Sequence, residues 1–183
     1  MLGAAFEVIL AGARAGDQDA FAAIFRDIQP SLLRYLQVIA ADAEDAAGDT
    51  WVQVIAGLAS FSGDEQAFKA WLFTIARHRA IDSGRSRARR RALPARLGTT
   101  YLQQVAPDTA DVVLERLSTH AVLTAIASLP ADQAEIIMLR VVAGLDAPAV
   151  ALIVGKSPGA VRVAAHRGLR RLATVLDQSG VTV

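Results

Sequence analysis

The sequence predicts an all-α protein of two small helical domains, on three observations. Hydrophobic residues make up 53% of the chain but aromatic residues only 5%, so the cores are built from Ala, Leu, Val and Ile, which favours helices over sheets. Apolar residues recur at intervals of three and four in two separate blocks. Between the blocks, Pro, Gly and Thr accumulate and this periodicity fades. We therefore expect domains at residues 1–91 and 119–183, joined by a flexible linker at residues 92–118.

The first domain is predicted to be a run of amphipathic helices. Pro30 interrupts the second helical pattern and predicts a kink or a new first turn. Asp42 is expected to cap the third helix, which ends near Gly57. The fourth is expected to end near Gly84, because glycine commonly follows the last helical turn. The inward residues of the first and fourth helices are predicted to be Phe6, Ile9, Leu10, Ala13, Phe68, Leu72, Ile75 and Ala76.

Charge is segregated along this domain, although the net charge of the chain is only +1. Between Arg34 and Lys69 there are six acidic residues and no basic one. From Arg77 to Arg91 there are seven Arg and one Asp. An acidic surface followed by a basic one indicates two different partners.

The second domain contains a helix-turn-helix pattern. Asp146 is expected to cap a helix over residues 147–154, which Gly155 then ends in the left-handed conformation. Ser157 caps the next helix and Pro158 takes its first position, where a missing N–H costs nothing. Two helices joined by a short turn with glycine are typical of DNA-binding proteins.

The last helix is predicted to have an apolar face and a basic face. Val163 lies among the basic residues, where a recognition helix can use it against a thymine methyl group. The small Gly159 in the first turn lets the helix approach the major groove closely. The predicted inward residues are Val161, Ala164, Ala165, Gly168, Leu169, Leu172, Val175 and Leu176, and the outward basic residues are Arg162, His166, Arg167, Arg170 and Arg171.

Composition argues against several other classes. The chain has no Cys and three scattered His, which excludes disulfides and thiolate sites and makes a metal centre unexpected. No apolar run approaches the roughly 20 residues of a membrane span. The first residues lack the basic start of a signal peptide and carry Glu7 in the apolar stretch. We expect a cytoplasmic protein without a cofactor.

Three segments in order resemble one family: "DAEDAAGDTW", "FKAWLFTIARHRAIDSGRSRARR" and "LPADQAEIIMLRVVAGLDAPAVALIVGKSPGAVRVAAHRGLRRL". The chain is similar to bacterial extracytoplasmic function (ECF) sigma factors over about residues 15–91 and 120–174. The resemblance implies a σ2-like domain that binds RNA polymerase core and the −10 promoter element, and a σ4-like domain that binds the −35 element. It also implies an anti-sigma factor that masks these faces.

The resemblance assigns roles in the first domain. The polymerase-binding positions that it implies are Asp42, Glu44, Asp45, Asp49 and Thr50. The −10 and melting positions are Phe61, Ser62, Lys69, Trp71, Arg77, His78, Arg79, Asp82, Arg85, Arg87, Arg89 and Arg90. His78 stands where the family often has Asn, so the base preference at the −10 element is expected to differ.

In the second domain, the segment from Ser157 to Arg167 matches the family spacing S-x-G-x-V-[KR]-x-x-x-H-R. Lys156 stands where an apolar residue is usual. With few polar base readers, this helix is expected to rely on phosphates and DNA shape. The −35 positions implied are Lys156, Ser157, Gly159, Arg162, Val163, His166, Arg167, Arg170 and Arg171.

Two other functions remain open on the residues alone. One is a helix-turn-helix regulator with an unrelated N-terminal sensory domain, which requires a ligand pocket within residues 1–91. The other is an all-helical enzyme. The sequence shows no glycine-rich phosphate loop, metal triad or nucleophile with a usable base, although His78 and Asp82 at i and i+4 mimic a dyad.

Overall fold

The computed structural model describes residues 2–91 and 120–178, with side chains for residues 2–82 and 120–178. The described residues form helices joined by short turns and loops and contain no strand. After a short 3-10 turn come α1 (Phe6–Arg14), α2 (Gln18–Ile39), α3 (Ala43–Leu58) and α4 (Glu65–Arg91). Then follow α5 (residues 120–127), α6 (Ala131–Ile137), a π-helical turn (Met138–Val142), α7 (Ala147–Val154) and α8 (Pro158–Gln178). The predicted linker at residues 92–118 lies outside the described residues.

Aspartate side chains cap the starts of α2 and α3 in the first domain. The Asp17 carboxylate accepts from the Asp19 and Ala20 N–H groups at 2.9 and 3.2 Å and begins α2. The Asp42 carboxylate accepts from the Asp45 N–H at 3.2 Å and begins α3, as predicted. Each cap satisfies N–H groups that have no partner within the helix.

The core of this domain forms where the apolar faces of α1 to α4 meet. Of the predicted inward residues, Ile9 and Ile75 are partly buried and the rest are buried. The largest fully buried side chains of this core are Phe6, Ile24, Ile28, Leu32, Tyr35, Leu36, Phe68, Leu72 and Phe73.

The predicted new first turn at Pro30 and the predicted end of α4 near Gly84 are wrong. α2 continues through Pro30, because Ile28, Leu32 and Leu36 on both sides of it are buried in the same core. This packing compensates for the one backbone hydrogen bond that proline removes. The backbone of α4 passes through Gly84 and extends to Arg91, since a single glycine costs a helix only about 1 kcal/mol.

The helix-turn-helix has the predicted geometry. The Asp146 carboxylate accepts from the Ala149 N–H at 2.8 Å and begins α7. Gly155 ends α7 with φ +67°, a left-handed conformation that glycine adopts without strain. The Ser157 hydroxyl accepts from the Ala160 N–H at 3.2 Å, and Pro158 is the first residue of α8.

The two domains pack against each other. α2 contacts α6 and the π-helical turn, and α4 contacts α7. Buried residues of both domains form a single hydrophobic cluster, which extends from Phe6 to Leu176. The face of the first domain that meets the second lies on the C-terminal half of α2 and the middle of α4.

Candidate polymerase and nucleic-acid interfaces

The acidic segment forms the exposed side of α3. Glu44, Asp45 and Asp49 are exposed, while the opposite side of the helix packs on the core. Trp51 fixes this orientation, because its indole N–H donates to the Gln29 side-chain oxygen at 2.6 Å and its ring packs against Phe21 and Phe25. These contacts therefore fix which side of α3 exposes the acidic residues.

Thr50 does not belong to this surface. It is fully buried at 0% exposure, and its hydroxyl donates to the Ala46 carbonyl within the same helix at 2.6 Å. This burial does not support the prediction that Thr50 contacts a partner. Its hydroxyl is tolerated in the core because the preceding turn satisfies it.

Two apolar residues on the same side of α3 were missed by the sequence reasoning. Val52 and Ile55 are 62% and 56% exposed. Ile55 also lines a cleft of about 330 Å³, bordered by Arg14 and Phe21. Their exposure could have been predicted, because the helical period places both residues away from the buried face of α3. The exposed face of α3 is thus partly acidic and partly apolar.

The segment predicted to bind the −10 element contributes Phe61, Phe68 and Trp71 to an aromatic cluster, and Phe6 of α1 completes it. We call these four residues the aromatic cluster. Phe61 stacks on Trp71, with ring centroids 5.0 Å apart and planes inclined by 24°. Phe61 meets Phe68 edge to face at 5.2 Å, and Phe6 lies 5.6 Å from Phe68. Phe61 and Trp71 are partly buried, whereas Ser62 in the adjacent loop is exposed. Two aromatic rings thus lie at the edge of an exposed loop.

Lys69 is placed differently from the prediction. It is only 7% exposed, and its ammonium lies 2.8 Å from the Glu65 carboxylate and 3.9 Å from that of Asp27. Glu65 also accepts from the Gly3 N–H at 2.8 Å, which ties the start of the chain to α4. The structure does not support Lys69 as a DNA contact, because its charge is already paired inside the domain.

Some of the basic residues of α4 already have partners within the protein or are partly buried. Arg77 donates from Nε to the Glu135 carboxylate of the second domain at 2.7 Å. His78 and Asp82 are exposed, and Arg79 is partly buried with its Nε lacking a hydrogen-bond partner among the described residues. The remaining predicted contacts lie on the last turns of α4, where only the backbone is described: Arg85, Arg87, Arg89 and Arg90.

α8 presents its basic residues on one exposed face. Val163 is 50% exposed and lies between these residues, as predicted. Gly159 is exposed at the start of the helix. From Pro158 to Leu176 the helix carries no acidic residue, so its outer face has basic residues with no opposing negative charge among them. The exposed basic residues are Arg162, His166, Arg167, Arg170 and Arg171.

Several polar groups near α8 have partners within the domain. Lys156 pairs with Asp132 at 2.9 Å, and its hydrogen bond and charge lower the pKa of that carboxyl. Arg171 donates to the Gln133 side-chain oxygen at 3.1 Å. These contacts are on the surface, so both cations remain accessible. Leu169 is 46% exposed, so its prediction as a core residue is wrong.

A helix-turn-helix whose second helix exposes basic residues, attached to a helical domain with an exposed acidic face on α3, is the arrangement of a DNA-binding protein with a second macromolecular partner. None of the helices in the described parts of the chain combines the length and apolar character that a membrane span requires. Within the same parts, no cluster of three His, Asp or Glu side chains forms a metal site.

Comparison with known proteins narrows this class to one family. The Sigma-70 region 2 model matches residues 18–90, and the Sigma-70, region 4 model matches residues 119–172. The ECF RNA polymerase sigma factor SigD of Mycobacterium tuberculosis is 33% identical over 188 residues, which cover 98% of this chain and 88% of SigD.

Solved structures show the same fold. CnrH in complex with the cytosolic domain of CnrY has a TM-score of 0.64 at 23% identity, covering 95% of this chain and 98% of that one. The sigma factor RpoE in complex with the anti-sigma factor NepR from Bartonella quintana has a TM-score of 0.61 at 25% identity, covering 86% and 96%.

The chain therefore belongs to the ECF sigma factors, and its function is that of a sigma factor in transcription initiation. The resemblance seen in the sequence is confirmed. The alternative of a regulator with an unrelated sensory domain is not favoured, because region 2 of the sigma factors accounts for residues 18–90.

Proposed function

We propose that this chain binds RNA polymerase core through the exposed face of α3 and directs it to promoters through α4 and α8. The domains are taken as residues 1–91 and 119–183 with a linker between them. The observation that carries the proposal is the cationic face of α8, which is the second helix of a well-formed helix-turn-helix. Such a helix is suited to the major groove of the −35 element.

The face of α3 supports a contact with a protein rather than with DNA. Asp45 and Asp49 repel phosphates but attract a basic protein surface. Val52 and Ile55 lie exposed beside them and gain free energy when a partner covers them. Exposed apolar residues next to charged ones are typical of protein interfaces.

The aromatic cluster and the adjacent loop support a role at the −10 element. An unpaired base gains about 1–3 kcal/mol from stacking on an aromatic side chain, which helps to offset the cost of flipping it. Phe61 and Trp71 are partly exposed beside Ser62 and are suited to this contact. The exposed His78 and Asp82 follow on α4. Lys69 and Thr50 are not part of the proposed interfaces.

We further infer that an anti-sigma factor regulates the chain in the cytoplasm, as NepR binds its sigma factor in the structure that this fold matches. The chain acts as an initiation factor and not as an enzyme.

Pull-down with purified core polymerase, followed by run-off transcription from promoters selected by the resulting holoenzyme, tests the proposal. We expect stable binding and initiation at defined sites. Failure to bind core polymerase contradicts it.

A further inference from the structure

The carboxylate of Glu135 joins the two domains. Its Oε1 atom accepts from the Arg77 Nε–H at 2.7 Å and from the Tyr35 hydroxyl at 3.1 Å. Tyr35 lies on α2, Arg77 on α4 and Glu135 on α6. The Glu135 and Arg77 side chains are only 15% and 27% exposed, so water screens their interaction weakly. We call these three residues the interdomain clasp.

Tyr35 holds Glu135 in the orientation that meets Arg77. The Tyr35 ring is fully buried and packs edge to face on Phe73 at 5.2 Å. The pKa of the Tyr35 phenol is well above its usual value of 10.0, mainly because the phenol is buried. The negative charge of Glu135 and the hydrogen bond to it raise this pKa further, whereas the positive charge of Arg77 lowers it. The phenol therefore remains a neutral donor to Glu135.

Apolar contact around the clasp is incomplete. Val38 and Ile39 of α2 and Ile81 of α4 line an open cleft of about 380 Å³ together with Leu129 and Ala134 of the second domain. A cleft of this size leaves part of the facing apolar surface uncovered. The charged contact therefore adds to an apolar interface that this cleft interrupts beside the clasp.

We propose that the clasp is an autoinhibitory contact, in which Glu135 occupies the place on Arg77 that a DNA phosphate takes when the domains separate. The proposal rests on the proposed function, since it takes α4 to be a DNA-binding helix. A carboxylate and a phosphate bind a guanidinium through the same charged hydrogen bonds, so they compete for Arg77. The closed chain binds DNA more weakly than the open chain, by the free energy needed to open the clasp.

Three variants of the full chain separate the clasp from general charge effects. Glu135→Gln keeps the side-chain shape but removes the anion. Arg77→Ala also breaks the clasp but removes the DNA contact. Asp177→Asn on the exposed end of α8 is the control for the loss of one negative charge. Because the chain has no Cys, cysteines introduced at the exposed Ala11 and Ala173 accept spin labels that report the distance between the domains.

The probes are a short DNA duplex of arbitrary sequence and the distance distribution between the labels. We expect Glu135→Gln and Arg77→Ala to lengthen and broaden the distances. Glu135→Gln should also increase DNA affinity at low salt, by about tenfold more than Asp177→Asn does. A tenfold change corresponds to the loss of one charged hydrogen bond. Arg77→Ala should show no such gain. Tyr35→Phe should shift both measurements in the same direction as Glu135→Gln, by a smaller amount.

Two results overturn the proposal. Unchanged distances in Glu135→Gln show that the clasp does not hold the domains. If the distances lengthen but DNA affinity does not increase, the clasp does not limit DNA binding. The same conclusion holds if no variant binds the duplex. Run-off transcription by the wild-type holoenzyme tests the function separately, so its success or failure is distinguishable from either result.

Discussion

The ammonium of Lys69 and the carboxylate of Glu65 lie 2.8 Å apart in a site where their side chains are only 8% and 11% exposed. The other lysine of the chain, Lys156, pairs with Asp132 at a similar distance of 2.9 Å, but these side chains are 36% and 52% exposed. The two lysines therefore form the same kind of close ion pair, Lys69 inside the protein and Lys156 on its surface. This difference in burial predicts opposite roles for the two lysines.

Lys69→Met should destabilise the protein, whereas Lys156→Met should not. Removing Lys69 leaves the Glu65 carboxylate buried without its cation, which costs about 3 kcal/mol of unfolding free energy. An exposed pair such as that of Lys156 contributes at most about 1 kcal/mol. Urea unfolding of both variants measures the difference. Equal losses of stability would show that Lys69 is not buried in solution.

The acid stability of the protein should depend on Glu65. Burial alone raises the pKa of this carboxyl, but the hydrogen bonds from Lys69 and the Gly3 N–H and the Lys69 charge together outweigh it and lower the pKa below 4.5. Because the folded-state pKa is below the unfolded-state pKa, the pairing stabilises the protein fully above pH 4.5. This stabilisation is lost as the pH falls through the folded-state pKa.

Glu65→Gln should therefore lower the free energy of unfolding at neutral pH, and the gap to the wild type should narrow below pH 4.5. Asp64→Asn is not a suitable control, since its carboxylate caps α4 by accepting from the Ala67 N–H at 2.8 Å. Asp19→Asn on the exposed first turn of α2 is suitable. A gap for Glu65→Gln that stays constant from neutral to strongly acidic pH would contradict the assignment.

Local features were predictable from the sequence, and long-range pairings were not. The caps at Asp42, Asp146 and Ser157 depend on N–H groups three residues away, so a short segment specifies them. Helical periodicity placed Val163 on the exposed side of α8, but Leu169 lies at the margin of its stripe, where the neighbouring helix decides burial.

The contacts between the two domains could not be predicted from the sequence, because they join residues that are far apart along the chain. Glu135 lies 58 residues from Arg77 and 100 residues from Tyr35 along the chain. No local pattern distinguishes such a glutamate from a solvated one. The burial of Lys69 could not be predicted for a similar reason. Lysine is almost never buried unless it is paired. One of the partners of Lys69, Asp27, lies on another helix, so the local sequence does not show it.

The acidic part of the α3 face should act in polymerase binding and not in stability. We expect Asp45→Asn combined with Asp49→Asn to change the free energy of unfolding by no more than about 1 kcal/mol, since the exposed acids contribute mainly through the helix dipole. The affinity for core polymerase should fall, and the loss should shrink as salt rises. Titration of labelled polymerase at several salt concentrations checks this. A large loss of stability with unchanged affinity would reverse the assignment.

The apolar part of the same face should respond differently to salt. Val52→Gln combined with Ile55→Gln should also weaken polymerase binding, because burial of apolar surface contributes about 25 cal/mol per Å². This loss should persist at high salt, where the effect of the acidic residues is screened. The exposure of both residues predicts little change in the melting temperature. If the variant binds polymerase normally at every salt concentration, the contact does not include these side chains.

Removing arginines from the two ends of α8 should affect DNA binding in different ways. Arg162 lies in the second turn, near the end that follows the turn of the motif, whereas Arg170 and Arg171 lie about two turns further on. In helix-turn-helix proteins the first turns of the recognition helix contact the bases. Arg162→Ala should therefore cost about 1–3 kcal/mol on a −35 sequence selected by the holoenzyme and relax discrimination there. Removing Arg170 and Arg171 together should weaken binding to all sequences alike and reduce the salt dependence by up to about two phosphate contacts.

Holoenzymes carrying these variants can be compared on selected and scrambled duplexes over a range of salt. Arg171 also donates to Gln133, so Gln133→Ala serves as the control for the loss of that surface contact alone. If Arg162→Ala lowers affinity for both duplexes equally, Arg162 contacts only phosphate. Base recognition would then depend on Lys156 and Val163, and α8 would lie in the groove in a different orientation from the one its exposed face indicates.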